Sequence, residues 1–213
     1  VVERFPDEPE LPVHTHELSG AADQPSPPAI DALAPAILIA APVLEDGFFA
    51  HAVILLVDRG EHGAGGMVLN RVAPVDLDSL LQAGGLDHAP GGPQPVWIGG
   101  PVAPEAGLVL YLDEGGPRYE HDLEVMPGLR LSASMAVLRD ISHGKGPKKF
   151  GLFLGRAGWG PGQLEREIAE GAWLSCEPRL DLLFGTATDD VWRQALQAIG
   201  LDEAHLFRGI AEA

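Results

Sequence analysis

Apolar and polar positions along the chain fall into short blocks with two periods. From Ala36, AILIAAP is an unbroken apolar run closed by Pro42; after the turn VLEDGFF comes a second such run, HAVILLVDR. Runs this short and this continuous predict strands buried on both faces. MVLNRV follows the loop RGEHGAGG, and so few residues separate it from HAVILLVDR that the two should pair as an antiparallel hairpin. VWIGGPV, GLVLYLD, two short strands of YEHDLEVMPGLRLS around the turn at Pro127–Gly128, KKFGLFLG and DLLFG continue the β pattern.

Helical spacing interrupts these strands. In DLDSLLQAGGL, Leu77, Leu80 and Leu81 keep an i, i+3, i+4 pattern that Gly84–Gly85 ends. Ser134 suits an N-cap for MAVLRDISHG, with Met135, Leu138 and Ile141 on one face and Gly144 as the stop. TDDVWRQALQAIG closes as a helix capped by Thr188, with Asp189 and Asp190 in its first turn, Trp192, Ala195, Leu196 and Ile199 as its buried stripe and Gly200 as its stop.

The stretch from Phe153 to Leu174, FLGRAGWGPGQLEREIAEGAWL, carries both periods. It predicts a strand, a loop holding Gly155, Gly158, Gly160 and Gly162, and a short helix with Pro161 at its first position. Leu164 and Ile168 would face the core, Glu165 and Glu167 would sit in the favourable field of the helix start, and Gly171 would end it before AWLSC resumes a strand. Strands outnumber helices and hairpins precede them. The fold class is therefore α+β, a mixed and strongly bent sheet with three to four helices.

Residues 1–33 break this pattern. Pro6, Pro9, Pro12, Pro25, Pro27 and Pro28 interrupt an acidic stretch without sustained apolar period, which reads as a tail ahead of a single domain over 34–213. His14 and His16 within it lack the further ligands a metal needs.

Composition narrows the function. Across 213 residues, 31 acids against 14 Lys and Arg give a formal charge of −17. A polyanion repels nucleic acid, whose affinity for proteins rests on phosphate neutralisation, so no direct nucleic-acid binding is expected. No apolar run reaches membrane-spanning length, and no basic and apolar leader is present, so neither membrane insertion nor secretion is expected. The single cysteine, Cys176, suits a reducing cytoplasm and reads as a buried structural thiol. The only lysines, Lys145, Lys148 and Lys149, cluster in GKGPKKF. They form a candidate anion site, set against the plainer reading that they cap the negative end of the preceding helix.

No catalytic signature emerges. Ser132, Ser134 and Ser142 lie near His143 in sequence without a G-x-S-x-G elbow, and His121–Asp122 would point to opposite faces of a strand. Glu61–His62 reads as an exposed loop pair. Neither H-x-x-x-H nor C-x-x-C occurs, so no metal or other cofactor is expected. The central glycine loop departs from phosphate-binding fingerprints, and Pro161 removes a donor that a phosphate would use. Trp159 and Trp173 read as core or interface anchors.

Taken together, ILIAAPVLEDGFFAHAVILLVDR, GAGGMVLNRV, VWIGGPV with GLVLYL, LSASMAVLRDI, HGKGPKKFGLFLG, AGWGPGQLEREIAEGAWL and the closing DDVWRQALQAIGLD resemble the YqgE/AlgH family of small bacterial proteins. The resemblance covers residues from about 34 to 205. It implies an α+β domain with coiled, bifurcated sheets and no established reaction; members are often described as transcriptional regulators. Three places depart from the family pattern: Arg156 where an aromatic is usual, Asp58–Arg59 where Glu-His is usual, and Ala136 where an acid is usual.

Three glycine–proline loops, at Gly99–Val102, at HGKGP and in the central stretch, are where rigid loops on a sheet would carry a site. The candidate ligand- or partner-binding residues are Arg156, Gly158, Trp159, Gly160 and Gln163, with Gly99, Gly100 and Pro101. The expected function is a non-enzymatic, cytoplasmic binding or regulatory protein whose partner is an unidentified protein or small molecule. The alternatives are an enzyme acting on a small molecule, with polar groups such as Asn70, Arg71, His121 and Arg156 gathered by the fold, and a transcriptional regulator acting through a protein partner.

Overall fold

The structure is a computed structural model, and it describes residues 34–44, 47–184 and 190–202. The tail expected over residues 1–33, with its two histidines, lies outside the described residues, as do Thr188 and Asp189. Ten strands and five helices follow one another in the described residues. They are β1 (Ala36–Ala40), β2 (Val53–Gly60), β3 (Gly63–Val68), β4 (Val72–Asp76), α1 (Leu77–Ala83), β5 (Pro95–Ile98), β6 (Val102–Leu112), β7 (Leu123–Met126), β8 (Leu129–Ser132), α2 (Met135–Ser142), β9 (Phe150–Trp159), α3 (Gln163–Ala169), β10 (Trp173–Cys176), α4 (Leu180–Phe184) and α5 (Val191–Ala198).

The main sheet runs β10-β1-β2-β3-β9-β6-β8-β7, with β4 and β5 attached as a branch. The hairpin β2–β3 forms as expected, with Leu55 opposite Met67. Its loop is shorter than the sequence implied: the strands run on to Gly60 and from Gly63, leaving Glu61 and His62 at the tip.

The continuous apolar runs are explained by burial on both faces. Along β1 and β2, Ile37, Ile39, Val53 and Leu55 join one core under Trp192, Ala195 and Leu196 of α5. Their neighbours Leu38, Ile54 and Leu56 join a second core with Leu164 of α3 and the indoles of Trp159 and Trp173. Period 2 sends alternate residues to opposite faces, and here both faces are covered. A third core lies where Leu77 and Leu81 of α1 and Val137 and Ile141 of α2 meet Val96, Val109 and Leu152.

The fork in the sheet is made by β9. Leu152–Leu154 pair in parallel with Val96–Ile98 of β5 while the same stretch pairs antiparallel with β6. Three residues further on, Ala157, Gly158 and Trp159 pair with Gly66, Gly65 and Ala64 of β3. The sheet is thus mixed, bent and bifurcated at one strand. Gly99 closes the fork: its carbonyl accepts from Val68 N–H at 2.8 Å and its N–H donates to the Leu154 carbonyl at 2.8 Å.

Four local expectations need correction. DLLFG is not a strand: Leu180–Phe184 is helix α4, and Leu182 and Leu183 pack into the core under α5, which raises the helix count to five. The central glycines do not form one loop, because β9 continues through Gly155 and Gly158 to Trp159. Pro161 lies in the turn before α3; the N-cap is Gly162, held in the left-handed region at φ 68°. On α2 the Ser134 hydroxyl caps as expected, accepting from Ala136 N–H at 3.2 Å, yet the buried stripe is Val137 and Ile141, with Met135 54% exposed.

Candidate functional site

At the outer end of the hairpin, β2, β3 and β9 enclose a cleft of about 460 Å³ lined by Asp58, Arg59, Glu61, His62, Arg156 and Trp159 together with glycines of all three strands. Arg156 is exposed, and Gly158, also exposed, stands directly opposite Gly65 on β3. A side chain added at Gly65 would meet the Asp58 carboxylate at 2.4 Å and the Arg156 guanidinium at 3.5 Å, so these two charges lie over bare backbone. Asp58, Arg59 and Arg156 therefore meet in one place.

The wall behind the cleft is a network on α3. Arg59 donates from Nε to Glu165 Oε1 at 2.7 Å, and its Nη2 lies 2.6 Å from the same oxygen. The carboxylate's own backbone N–H and the guanidinium hold the Glu165 carboxyl below the usual carboxylate range. Two residues on, Glu167 Oε2 accepts both indole N–H groups, from Trp159 at 2.9 Å and Trp173 at 2.8 Å, while Oε1 accepts from Gln163 Nε2 at 2.8 Å. The Gln163 carbonyl accepts the Gly160 N–H at 3.0 Å. The two indoles sit edge to face, 5.9 Å between centroids. Glu165 and Glu167 thus act through named partners rather than through the helix end, and Gln163 braces the turn into α3.

The other candidate residues divide. Gly99 and Gly100 are buried where the end of β5 crosses β9: a Cβ on Gly100 would lie 2.1 Å from the Arg156 carbonyl carbon, one on Gly99 2.4 Å from the Gly155 oxygen. Pro101 is exposed at the start of β6. Lys145 and Lys148 line a separate cleft of about 460 Å³ shared with Asp113 and Glu114, so carboxylates already face them. The Lys149 ammonium lies 5.6 Å above the Phe184 ring. Lys145 and Lys148 thus share one cleft, and Lys148 lines a second with Lys149.

Asn70, Arg71, His121 and Arg156 are not brought together. Asn70 accepts the Val53 N–H at 3.0 Å and donates to the His51 carbonyl at 2.8 Å, while Arg71 donates to the carbonyls of Phe48 and Ala50. Both hold the turn between β1 and β2. His121 is 90% exposed beside Glu120, and Asp122 turns away from it to accept from the Tyr111 hydroxyl and the Tyr119 N–H. Burial and the neighbouring Asp140 and Asp122 push the Tyr119 phenol up to about 12. Glu61 and His62 are 88% and 95% exposed at the hairpin tip. Burial pushes the Cys176 thiol up, away from nucleophilic character. Among the described residues no three His, Cys, Asp or Glu side chains come close enough to hold a metal, and no helix is long and apolar enough to cross a membrane.

The sequence pointed to Arg156 and its glycines but not to Arg59 and Glu165, which are 106 residues apart. Nothing local signals that pair; an arginine at the end of an otherwise apolar strand was the one available hint.

Comparison with known proteins places this arrangement. The family described as AlgH-like (DUF179) matches residues 37–204. A UPF0301 protein of Laribacter hongkongensis is 38% identical over 178 residues, covering 83% of this chain and 95% of the relative. A UPF0301 protein of a Marinomonas species is 40% identical over 171 residues, 79% of this chain and 90% of the relative. The solution structure of the AlgH protein from Pseudomonas aeruginosa is similar with a TM-score of 0.69 at 35% identity, covering 87% of this chain and 97% of that one. A Corynebacterium diphtheriae crystal structure shares the fold with a TM-score of 0.62 at 23% identity, covering 78% of this chain and 86% of that one. With the family matching residues 37–204 and relatives 38% and 40% identical over most of their length, the chain belongs to the AlgH-like family.

Proposed function

We propose that this protein works by binding rather than by turning over a substrate, and that it takes up an extended segment of a protein partner in the cleft between the β2–β3 hairpin and the end of β9. The observation that carries the reading is the pairing of bare backbone with opposed charges. Asp58 and Arg156 come together over Gly65 of β3, and Gly158, opposite it on β9, leaves exposed backbone beside them. A partner backbone can lie close to Gly158, and its charged side chains find Arg156 and Asp58 side by side at the cleft. The wall is rigid, because Glu167 ties both indoles and Gln163 to α3. A regulatory role, exercised in the cytoplasm, would pass through this protein partner. The charge of −17 works against direct contact with DNA.

The test is affinity capture from cell lysate with wild type and Arg156→Glu, both first shown to be folded by circular dichroism. The expected result is a partner that wild type retains and the variant loses. A partner held equally by the two would place the binding surface elsewhere.

A further inference from the structure

Away from the charged cleft, α1 and α2 stand over β6 and β9 and leave a cavity of about 390 Å³. Its apolar lining includes Leu80, Leu81, Leu138, Leu152 and Leu154. Volume and lining are those of a small-molecule site. The polar groups that reach it are Glu105, Ser132 and Ser134. Ser132 is 1% exposed, and its Oγ accepts the Ser134 N–H at 3.2 Å; Ser134 Oγ accepts the Ala136 N–H at 3.2 Å. Each hydroxyl oxygen has two lone pairs, so each keeps one beyond its backbone bond. Ser132 and Ser134 thus offer a free lone pair each on the cavity wall, and Glu105 places a carboxylate at its mouth.

The backbone of β6 supplies that mouth. Val102 pairs with Arg156 and Gly107 with Leu154, so five steps along β6 answer two along β9. The surplus residues stand off the sheet as an exposed arc, with Ala103 at φ 48°. Bulges of this kind re-aim side chains and are frequent beside functional sites. Here the arc brings Glu105 and Ala106 to the opening.

We propose that this cavity binds a small cationic amphiphile, its alkyl chain among the leucines and its ammonium against Glu105 and the serine oxygens. Shape selects the apolar body. Charge selects the head, since Glu105 at the mouth and the net charge of −17 both oppose an anion. The site shares no lining residue with the charged cleft, so either can fail without the other.

The test is a titration of the full chain with hexylamine, octylamine, octanol and octanoate at low salt, followed by NMR and by melting temperature. Octylamine should bind saturably and more tightly than octanol, with octanoate weakest. Affinity should rise about four-fold per added CH₂ between hexylamine and octylamine. Glu105→Gln should remove the preference of the amine over the alcohol. Ala106→Trp, at an exposed position on the rim, should abolish binding of both while leaving the melting temperature of the free protein unchanged. Non-saturable uptake, equal or tighter binding of octanoate, or octylamine binding that Ala106→Trp does not affect would each overturn the proposal.

Discussion

Gly99, Gly100 and Gly155 lie where the end of β5 crosses β9; Gly158 and Gly160 lie a few residues further along the same stretch of chain. At the crossing, a methyl group on any of the three would fall within 2.1–2.4 Å of backbone atoms of the opposing segment. At Gly158 the nearest obstacle is a Val102 methyl at 3.5 Å, and at Gly160 it is the Gln163 side-chain oxygen at 3.8 Å, both ordinary contacts. The first set is required by packing, because two backbones approach more closely than any Cβ permits. The second set is not. A glycine that packing does not require, exposed in a cleft that also holds Asp58 and Arg156, is where a functional explanation has room. The contrast separates two explanations that glycine-rich sequence alone leaves merged.

The largest effect that sharpens the contrast is expected from Gly100→Ala. The added methyl meets the Arg156 carbonyl carbon and oxygen and the Ala157 nitrogen, none of which can move without opening the fork. A loss of at least about 3 kcal/mol in urea denaturation is expected, or failure to fold. Near-native stability would show that the crossing tolerates what the geometry forbids.

A smaller effect is expected at the wall of the cleft, from Glu165→Gln. A partly buried charge-assisted pair of this kind is worth about 1 kcal/mol. Because the folded-state pKa of Glu165 is depressed below its ordinary value of 4.5, the pair's contribution is fully present above that value and is lost as pH falls through the lower, folded one. The gap in melting temperature between wild type and variant should therefore be open at pH 7 and narrow as pH falls below 4.5 and through the depressed folded value. A gap that persists in acid would mean that the side chain acts through packing.

The smallest effect is expected from Gly158→Ala, within about 0.5 kcal/mol of wild type by thermal denaturation. A loss comparable with that of Gly100→Ala would erase the distinction between the two sets.

Much of the architecture was legible in order. Continuous apolar runs announced β1 and β2 because both faces of those strands are covered. Ser134 announced α2, and the stripe Trp192, Ala195, Leu196 announced α5, where the Trp192 indole reaches the Ala40 carbonyl at 2.9 Å. The rest depended on tertiary partners. β9 continues through Gly155, which takes a left-handed φ of 68° where the pairing with β6 shifts register, and through Gly158, because β6 and β3 supply its hydrogen bonds, overriding a composition that reads as loop. DLLFG becomes a helix because Leu182 and Leu183 can both enter one core only at helical spacing. Met135 is a good helix former whose apolar side chain stays on the surface, so periodicity turned the stripe of α2 by part of a turn. Of the candidate site, Arg156 and its exposed glycines were readable as a cluster in sequence. Arg59, Glu165 and the double indole acceptor Glu167 were not, since each is defined by a neighbour brought from another strand or across the helix.

The position of β9 in the chain also has a consequence for synthesis. β3 ends at Val68 and its partner on the other side does not begin until Phe150. A ribosome adding about 5–20 residues per second needs roughly 4–16 s to cover those 80-odd residues. Through that interval the hairpin β2–β3 has been made without its outer neighbour, and β1 without β10. Val68, Ile54 and Leu56, all fully buried in the finished sheet, have no lid over them. Non-local pairings of this separation are slow to form and leave a strand edge open while they are awaited. The sheet thus assembles as a closing event, when the last third of the polypeptide arrives.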